Sequence, residues 1–337
     1  MHFGLDIGSH SLKIICCQKK GSKFYLTNWA EVETPVSTET TEKQERIALA
    51  EILKKLVRDA KVTTQDAVVA IPEAKVFSRV IQLPFLSDAE LASAIEFEAE
   101  QYIPMPLDQV QLEYLVLAKP AKVFLGAKME VLLIAAQKKA VDSLVELLQM
   151  SGLIPVAMET EILAVCRALA GLSGTSLLMN IGKDSSDLAI TKGSELKFVY
   201  SYPTGGDTLT RSLASQLSLE FIQAEEYKKA YGLQENVLEG KVAAALEPPT
   251  RQIVEQIQKT INFYSQKSQG EDKITRLILA GGTALMPGIS SYFAKNTGLE
   301  TVLGNPFANF NIDQNFPKEL LSGSARFATA VGLALRE

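Results

Sequence analysis

The sequence predicts an α/β protein of two lobes, each a mixed β-sheet flanked by helices, and three observations predict it. Strand-length apolar runs alternate with helix-period segments along the whole chain, the pattern of helices packed on sheets. A strand, glycine turn, strand pattern occurs twice, at Gly4–Ile15 and at Leu177–Ile190, about half the chain apart. The length of 337 residues supplies two domains at roughly 150 residues each.

The first hairpin carries Asp6-Ile7-Gly8, the second Asn180-Ile181-Gly182 with a turn read as two residues longer. Ile47, Leu49, Ile52, Leu53 and Leu56 give Glu42–Ala60 a helix period, and Ala67–Ile71 reads as a strand. Ser87-Asp-Ala-Glu90 is a capping box with Ser87 as N-cap. Its helix runs to about Ile103, where Pro104 and Pro106 stop it. Val110–Leu117 and Met129–Ala136 read as strands and Lys138–Met150 as a helix, so that residues of about 80–157 form a small inserted α+β unit. The helix Glu159–Leu169 crosses to the second lobe.

There, Pro203-Thr-Gly-Gly-Asp207 precedes a helix with Leu209, Leu213 and Leu217. Pro249 is expected to open a long helix with Ile253, Ile257, Ile261 and Tyr264 on one stripe. Ile274–Ala280 is a buried-type strand running into Gly281-Gly282, Pro287-Gly288 opens another helix, and Ser324–Leu335 closes the fold.

Composition narrows the function. Hydrophobic residues make up 47% and charged residues 22%, with a net charge of -5. That balance disfavours a broad nucleic-acid surface, which needs clustered cations. No apolar run reaches the roughly 18–20 residues that span a bilayer, so direct membrane insertion is not expected. The acid at Asp6 interrupts any signal-peptide pattern in the opening residues, and a cytoplasmic location is the expectation. Three cysteines without a CxxC pair exclude a zinc ribbon and a redox pair. Cys16, Cys17 and Cys166 read as buried, unreactive thiols. With His2 and His10 as the two histidines, a Ser-His-Asp triad is disfavoured.

Three segments carry candidate chemistry. Gly8-Ser9-His10-Ser11 is a tight turn whose amides can converge on an anion, with hydroxyls from Ser9 and Ser11. Asp6 beside it can hold a hydrated Mg²⁺. Lys13, mid-strand, needs an anionic partner, which a phosphate would supply; a polar hairpin tip with a snorkelling lysine reads equally well. The second hairpin, Asn180–Asp187, adds amides and the acids Asp184 and Asp187. Two such loops facing each other would clamp a polyphosphate. At Gly281-Gly282 the backbone permits close approach by a ligand, and Thr283 is placed to cap the next helix toward a phosphate. Neither a GxxxxGK[ST] loop nor a strand-linked GxGxxG is present.

These segments, in this order, resemble the phosphate loops and adenosine motif of the actin, heat-shock-chaperone and sugar-kinase ATPase superfamily. Gly4–Ile15 resembles its first phosphate loop, Leu177–Ile190 its second, and Ala280–Ile289 its adenosine motif. Gln223–Lys228 is similar to the helix that touches ribose and adenine in bacterial actins, and Thr160–Ala164 to the start of the connecting helix. Within the superfamily, Phe77–Pro104, Pro203–Asp207 and Ala330–Arg336 resemble the PilM family of type IV pilus assembly, relatives of the division protein FtsA. FtsA-like proteins carry an amphipathic anchor beyond the final helix; the sequence shows no such segment after Arg336, which favours the PilM side.

The resemblance implies an actin-like ATPase fold, with ATP and Mg²⁺ as cofactors. Lobe 1 (subdomain 1A) would be 1–79, 158–172 and 324–337, and an FtsA-type subdomain 1C 80–157. Subdomain 2A would be 173–205 and 273–323, and 2B 206–272. Asp6 matches the acid associated with Mg²⁺ through water, Glu161 the acid that opens the connecting helix, and Asn180 the first position of the second loop. Gly8, Ser9, His10, Ser11, Lys13 and Gly182 match phosphate positions. Gly205, Gly206, Glu225, Lys228, Gly281, Gly282 and Thr283 match the rest of the nucleotide site. One departure matters: the second loop usually opens with Asp, and an amide cannot act as an anionic ligand or a general base. Slow or no hydrolysis is therefore expected.

The implied partner is the N-terminal cytoplasmic peptide of a PilN-like inner-membrane protein, held in a groove involving subdomain 1C. Arg79, Phe85, Phe97 and Tyr102 are the candidate contacts, against a reading of the aromatics as core. Recruitment through that partner would place the chain at the inner face of the cytoplasmic membrane. Pilus motor ATPases and self-association are further candidate interactions. The alternatives are an FtsA-like filament-forming protein and a small-molecule kinase of the same superfamily.

Overall fold

The computed structural model describes residues 2–34, 37–38, 40, 42–120, 126–171 and 173–337; the boundary expected at residue 172 lies outside them. The first lobe begins with the meander β1 (Phe3–Ile7), β2 (Ser11–Lys20) and β3 (Lys23–Glu33), followed by α1 (Lys43–Asp59) and β4 (Asp66–Ile71). An inserted unit follows: β5 (Val76–Pro84), α2 (Asp88–Glu100), β6 (Val110–Ala118) and β7 (Lys128–Gln137). The chain returns through α3 (Lys138–Met150) and β8 (Ile154–Thr160), then crosses on α4 (Glu161–Leu169). The second lobe holds β9 (Thr175–Ile181), β10 (Ser186–Lys192), β11 (Glu195–Tyr202), α5 (Gly206–Leu217), α6 (Phe221–Tyr231), α7 (Lys241–Lys267), β12 (Ile274–Ala280), α8 (Ile289–Thr297) and β13 (Glu300–Leu303). The last elements are α9 (Lys318–Ser322) and α10 (Ala328–Ala334).

The two large sheets share one plan. Their strand orders are β3-β2-β1-β4-β8 and β11-β10-β9-β12-β13, a meander extended by two parallel strands in each. Side chains alternate across a strand, and this decides which residues meet. Phe3, Leu5 and Ile7 join Leu12 and Ile14 in a core roofed by α1 and α3, which leaves Asp6 and Lys13 on the opposite face. Likewise Leu177, Met179 and Ile181 pack under α5, α7 and α8. Leu178 and Ala189 face α4, with Asn180 and Asp187 on their side. Each hairpin therefore turns its polar strand ends toward the helix between the lobes.

Small residues let the last helix close this arrangement. A Cβ on Gly4 would run into the backbone of Ala330 and Ala334, and one on Gly332 into the Ala164 carbonyl. α10 thus lies directly on β1 and α4, almost wholly buried.

The structure differs from sequence expectation in several places. The two hairpin turns are equal in length: Ile7 pairs with Leu12 and Ile181 with Ser186, because the buried polar residues Ser186 and Asp187 continue β10. The separate three-stranded sheet, β5-β7-β6, spans 76–137, not 80–157. α3 buries Val141, Leu144, Leu147 and Leu148 in the first lobe, and β8 pairs with β4. Residues 206–272 form no separate core; Leu209, Leu213, Val242, Leu246 and Ile253 share one with β9 and β10. The stretch after β13, expected in the second lobe up to residue 323, crosses back. Phe307, Phe310, Phe316 and Leu320 pack with Ile15, Phe24 and Trp29, and Asn311 N–H bonds the Phe24 carbonyl at 2.8 Å.

The long helix begins at Lys241 rather than Pro249, with Pro248 and Pro249 inside it. A proline at 249 leaves the Ala245 carbonyl without its helical donor. Ser212 Oγ and Gln216 Nε2 donate to that carbonyl from α5, at 2.9 and 3.3 Å. The Ser87 cap and the unpaired cysteines match expectation. Ser87 Oγ accepts the Glu90 N–H while Glu90 Oε2 accepts the Ser87 N–H. All three cysteines are free; burial pushes the Cys16 and Cys166 thiols up to about 12 and Cys17 to about 11.

Candidate functional site

The site is assembled from two cross-strand pairs and one helix start. Asp6 stands opposite Lys13, and Asn180 opposite Asp187, at matching positions of the two hairpins. Lys13 Nζ donates to Asp6 Oδ2 at 3.2 Å, with both residues buried. The anionic partner that Lys13 requires is therefore Asp6. Asn180 Nδ2 donates toward Glu161 Oε2 at 3.4 Å and Asp187 Oδ2 at 3.5 Å. Glu161 is the first residue of α4, whose N-cap Thr160 accepts the Leu163 N–H at 3.4 Å. Sequence reading missed Glu73. It lies in the short 3₁₀ turn after β4, 3% exposed, and its Oε2 accepts the Ile162 N–H at 3.5 Å. The available signal was an acid placed straight after the proline that ends a buried strand.

Three acids share too little cation. Desolvation pushes the Glu161 carboxyl well above the usual carboxylate range, and Asp187 and Asp6 push it further against Lys13. Desolvation raises Glu73 likewise, joined by Asp187 and Glu161. Burial lifts Asp187 to about 6, restrained by hydrogen bonds from Ser201 and Asn180. Asp187 Oδ1 is buried with no partner among the described residues. The deficit fits a cation. Among the described residues no three Asp, Glu, His or Cys side chains group closely enough to hold a metal directly, so the set suits a hydrated ion.

The glycine segments enclose the second turn. Gly182 N–H closes that turn onto Ser185 O at 2.9 Å, as Gly8 N–H closes the first onto Ser11 O at 3.2 Å. Gly206 and Asp207 N–H groups bond the carbonyls of Gly182 and Lys183, both at 2.9 Å. Thr283 Oγ1 donates to the same Gly182 carbonyl at 3.1 Å. Thr283 thus braces the turn instead of capping α8, whose N-cap is Gly288. A Cβ on Gly281 (φ +88°) would overlap the Ile181 carbonyl, and one on Gly205 the Lys183 carbonyl. These two glycines admit the chain itself. A Cβ on Gly282 would meet nothing within 4 Å, so Gly282 is the one of the three with room for a ligand.

On α6, the buried Lys228 donates to Gly206 O at 3.0 Å and Thr210 Oγ1 at 2.8 Å, and pairs with Glu225 at 2.6 Å. Desolvation opposes the charge on Glu225, and the hydrogen bonds from Lys228 and Thr210 outweigh it, leaving the carboxyl below its usual range.

The first turn faces the same crevice. His10 Nε2 lies 3.5 Å from Lys229 Nζ across the lobes. Burial lowers the His10 pKa, and the positive charges of Lys229 and Lys183 add to that. Ser9 is half-buried at the tip, whereas the Ser11 hydroxyl donates to Glu31 at 3.4 Å.

The candidate partner residues lie on the inserted unit but make separate contacts. The Arg79 guanidinium stacks over the Tyr102 ring at 4.8 Å, and Lys119 over Phe85 at 5.2 Å. Phe97, on α2, is 70% exposed. It is not core.

Comparison with known proteins agrees with this architecture. A family model described as type IV pilus assembly protein PilM matches residues 4–337, and the chain belongs to that family. The structure resembles that of a PilM-PilN type IV pilus biogenesis complex, at 26% identity, TM-score 0.85, and 99% and 98% coverage of the two chains. It shares the fold of MreB 5 of Spiroplasma citri bound to AMPPNP, at 12% identity, TM-score 0.54, and 98% and 94% coverage. The fold is therefore actin-like. The ethanolamine utilization protein EutJ of Escherichia coli (strain K12) is 26% identical over 118 residues, 35% of this chain and 37% of its own length. The match thus spans little more than a third of that curated relative.

Proposed function

We propose, with membership of the PilM family as premise, that the chain is an ATP-binding scaffold of type IV pilus assembly that holds the N-terminal cytoplasmic peptide of a PilN-like inner-membrane protein. The observation that carries the reading is the convergence of the pairs Asp6–Lys13 and Asn180–Asp187 on Glu161, at the crevice between two actin-like lobes. The turns at 8–11 and 182–185 would take the phosphates, Glu225 and Lys228 the ribose side, and Gly282 the adenosine. Mg²⁺, when bound, would neutralise phosphate charge and polarise the terminal phosphoryl group. Asp6 and Asp187 would hold it through water.

Hydrolysis is expected to be slow. Asn180 carries no negative charge with which to orient an attacking water, and Glu161 is held toward its neutral form, in which it takes no proton. The inserted sheet with α2 is assigned the part of the FtsA-type 1C subdomain, with the peptide lying against it. No helix among the described residues is long and apolar enough to cross a membrane. Attachment through the partner would then bring the chain to the inner face of the cytoplasmic membrane.

Calorimetric titration with ATP·Mg²⁺ and with a synthetic PilN N-terminal peptide tests both halves, and a single-turnover assay tests the chemistry. Binding of both ligands with turnover slower than about 10⁻² s⁻¹ (the intrinsic range of switch-type nucleotide hydrolases) is expected. Failure of either ligand to bind refutes the reading.

A further inference from the structure

The inserted sheet is tied covalently to the first lobe but packed on the second. Val80, Leu117, Leu132 and Ile134 of its inner face share one apolar cluster with Leu196 and Val199 of β11 and with α4. To the first-lobe core it contributes Val76 and Ala136, at its strand ends. One charged group bolts the seam. Glu130 on β7 meets two second-lobe lysines, Lys197 on β11 at 3.4 Å and Lys267 at the end of α7 at 3.8 Å. Glu195 holds Lys197 from its other side at 3.0 Å. All three residues of the bolt are largely buried, so their attraction is screened less than at an open surface. β11 then runs on through Thr204 into Gly205-Gly206, the segment that grips the second hairpin turn.

We propose that Glu130, Lys197 and Lys267 form a latch that makes the inserted unit ride with the second lobe, so that lobe closure on nucleotide resets the inserted unit against α1 and α3. This rests on the nucleotide and peptide reading above and adds to it the route by which the two ligands sense each other. None of the three is among the residues assigned above to the nucleotide or the peptide, so the latch is proposed to transmit without contributing contacts of its own. Such coupling is an energy between two sites and is reciprocal.

The test compares peptide affinity with and without ATP·Mg²⁺ in wild type, in Glu130→Ala, and in Glu130→Asp, which keeps the charge facing Lys197 and Lys267. In wild type the nucleotide should change peptide affinity by at least about fivefold. E130A should cut the change below about twofold while the affinity for nucleotide alone stays put, and E130D, with its carboxylate retained, should keep more of the change than E130A. Full coupling in E130A, or independent binding of the two ligands in wild type, overturns the latch. Hydrogen exchange on the ligand-free protein separates the latch from the functional reading. E130A should raise exchange in 128–137 and 195–202; unchanged exchange overturns the latch whether or not the ligands bind.

Discussion

Asn180 shows how one side chain sets the charge of the site. Its amide offers two N–H donors to Glu161 and Asp187, which repel each other. Asp187 titrates near 6 in the fold against an ordinary 3.8, so the folded protein binds its proton more tightly than the unfolded chain. Stability from this group is therefore fullest below the unfolded value and is lost as pH rises through about 6. Glu73, facing Asp187 and Glu161, and Glu161, facing Asp187, Asp6, Lys13 and Asn180, act in the same direction. Replacing Asn180 by Asp removes both donors and adds a fourth acid. Thermal melts of the ligand-free variant should show a loss of about 2 kcal/mol or more at pH 8 and a smaller one at pH 5.5; equal losses would contradict the charge argument. Asp6, Asn180 and Glu161 were legible because each closes a strand or opens a helix within a recognisable motif. Asp187 gained its meaning from register, and Glu73 from a tertiary contact to α4, neither of which local pattern encodes.

Helix and strand boundaries followed hydrophobic periodicity wherever local physics decides. The Ser87 cap, the strand before Gly281 and the α4 crossing were all readable. The prolines of α7 misled because the acceptor that Pro249 orphans is rescued by Ser212 and Gln216, 33 and 29 residues before it. The boundary at 323 misled because four aromatic and aliphatic side chains after β13 fit the first lobe's β2–β3 face, a choice made by packing. Glycine gives the sharpest test at this scale. Gly332 leaves no space for a methyl group against the Ala164 carbonyl, so Gly332→Ala must push α10 off α4. Denaturant unfolding should show a loss of about 3 kcal/mol. Gly282, with helical φ of -66° and open space, should accept Ala with a stability change within about 0.5 kcal/mol, and the same substitution should weaken nucleotide binding. A stable G332A protein would mean that the helices are not in backbone contact.

The lobes are joined by two crossings, and these define how the molecule can move. One is α4, packed between the two sheets. The other is the short run from Gly304, whose N–H still bonds Leu279 in the second lobe, to Phe310, already paired with Phe24 in the first. Two nearby crossings make a hinge. Across the crevice His10 approaches Lys229 to 3.5 Å, a pair that repels when both are charged. That approach does little to hold the ligand-free crevice shut, while of the three acids inside it Glu161 is the one Lys13 acts on. A nucleotide without metal would add anion to anion; ATP·Mg²⁺ brings its own compensation. Binding at about 100 times Kd should raise stability by about 2.7 kcal/mol, which for a chain of this size is a Tm increase of about 5 °C. Adding EDTA should remove most of that increase. An equal increase with and without Mg²⁺ would mean that the acids do not face the phosphates, and the two hairpins would then be a shared scaffold without a shared ligand.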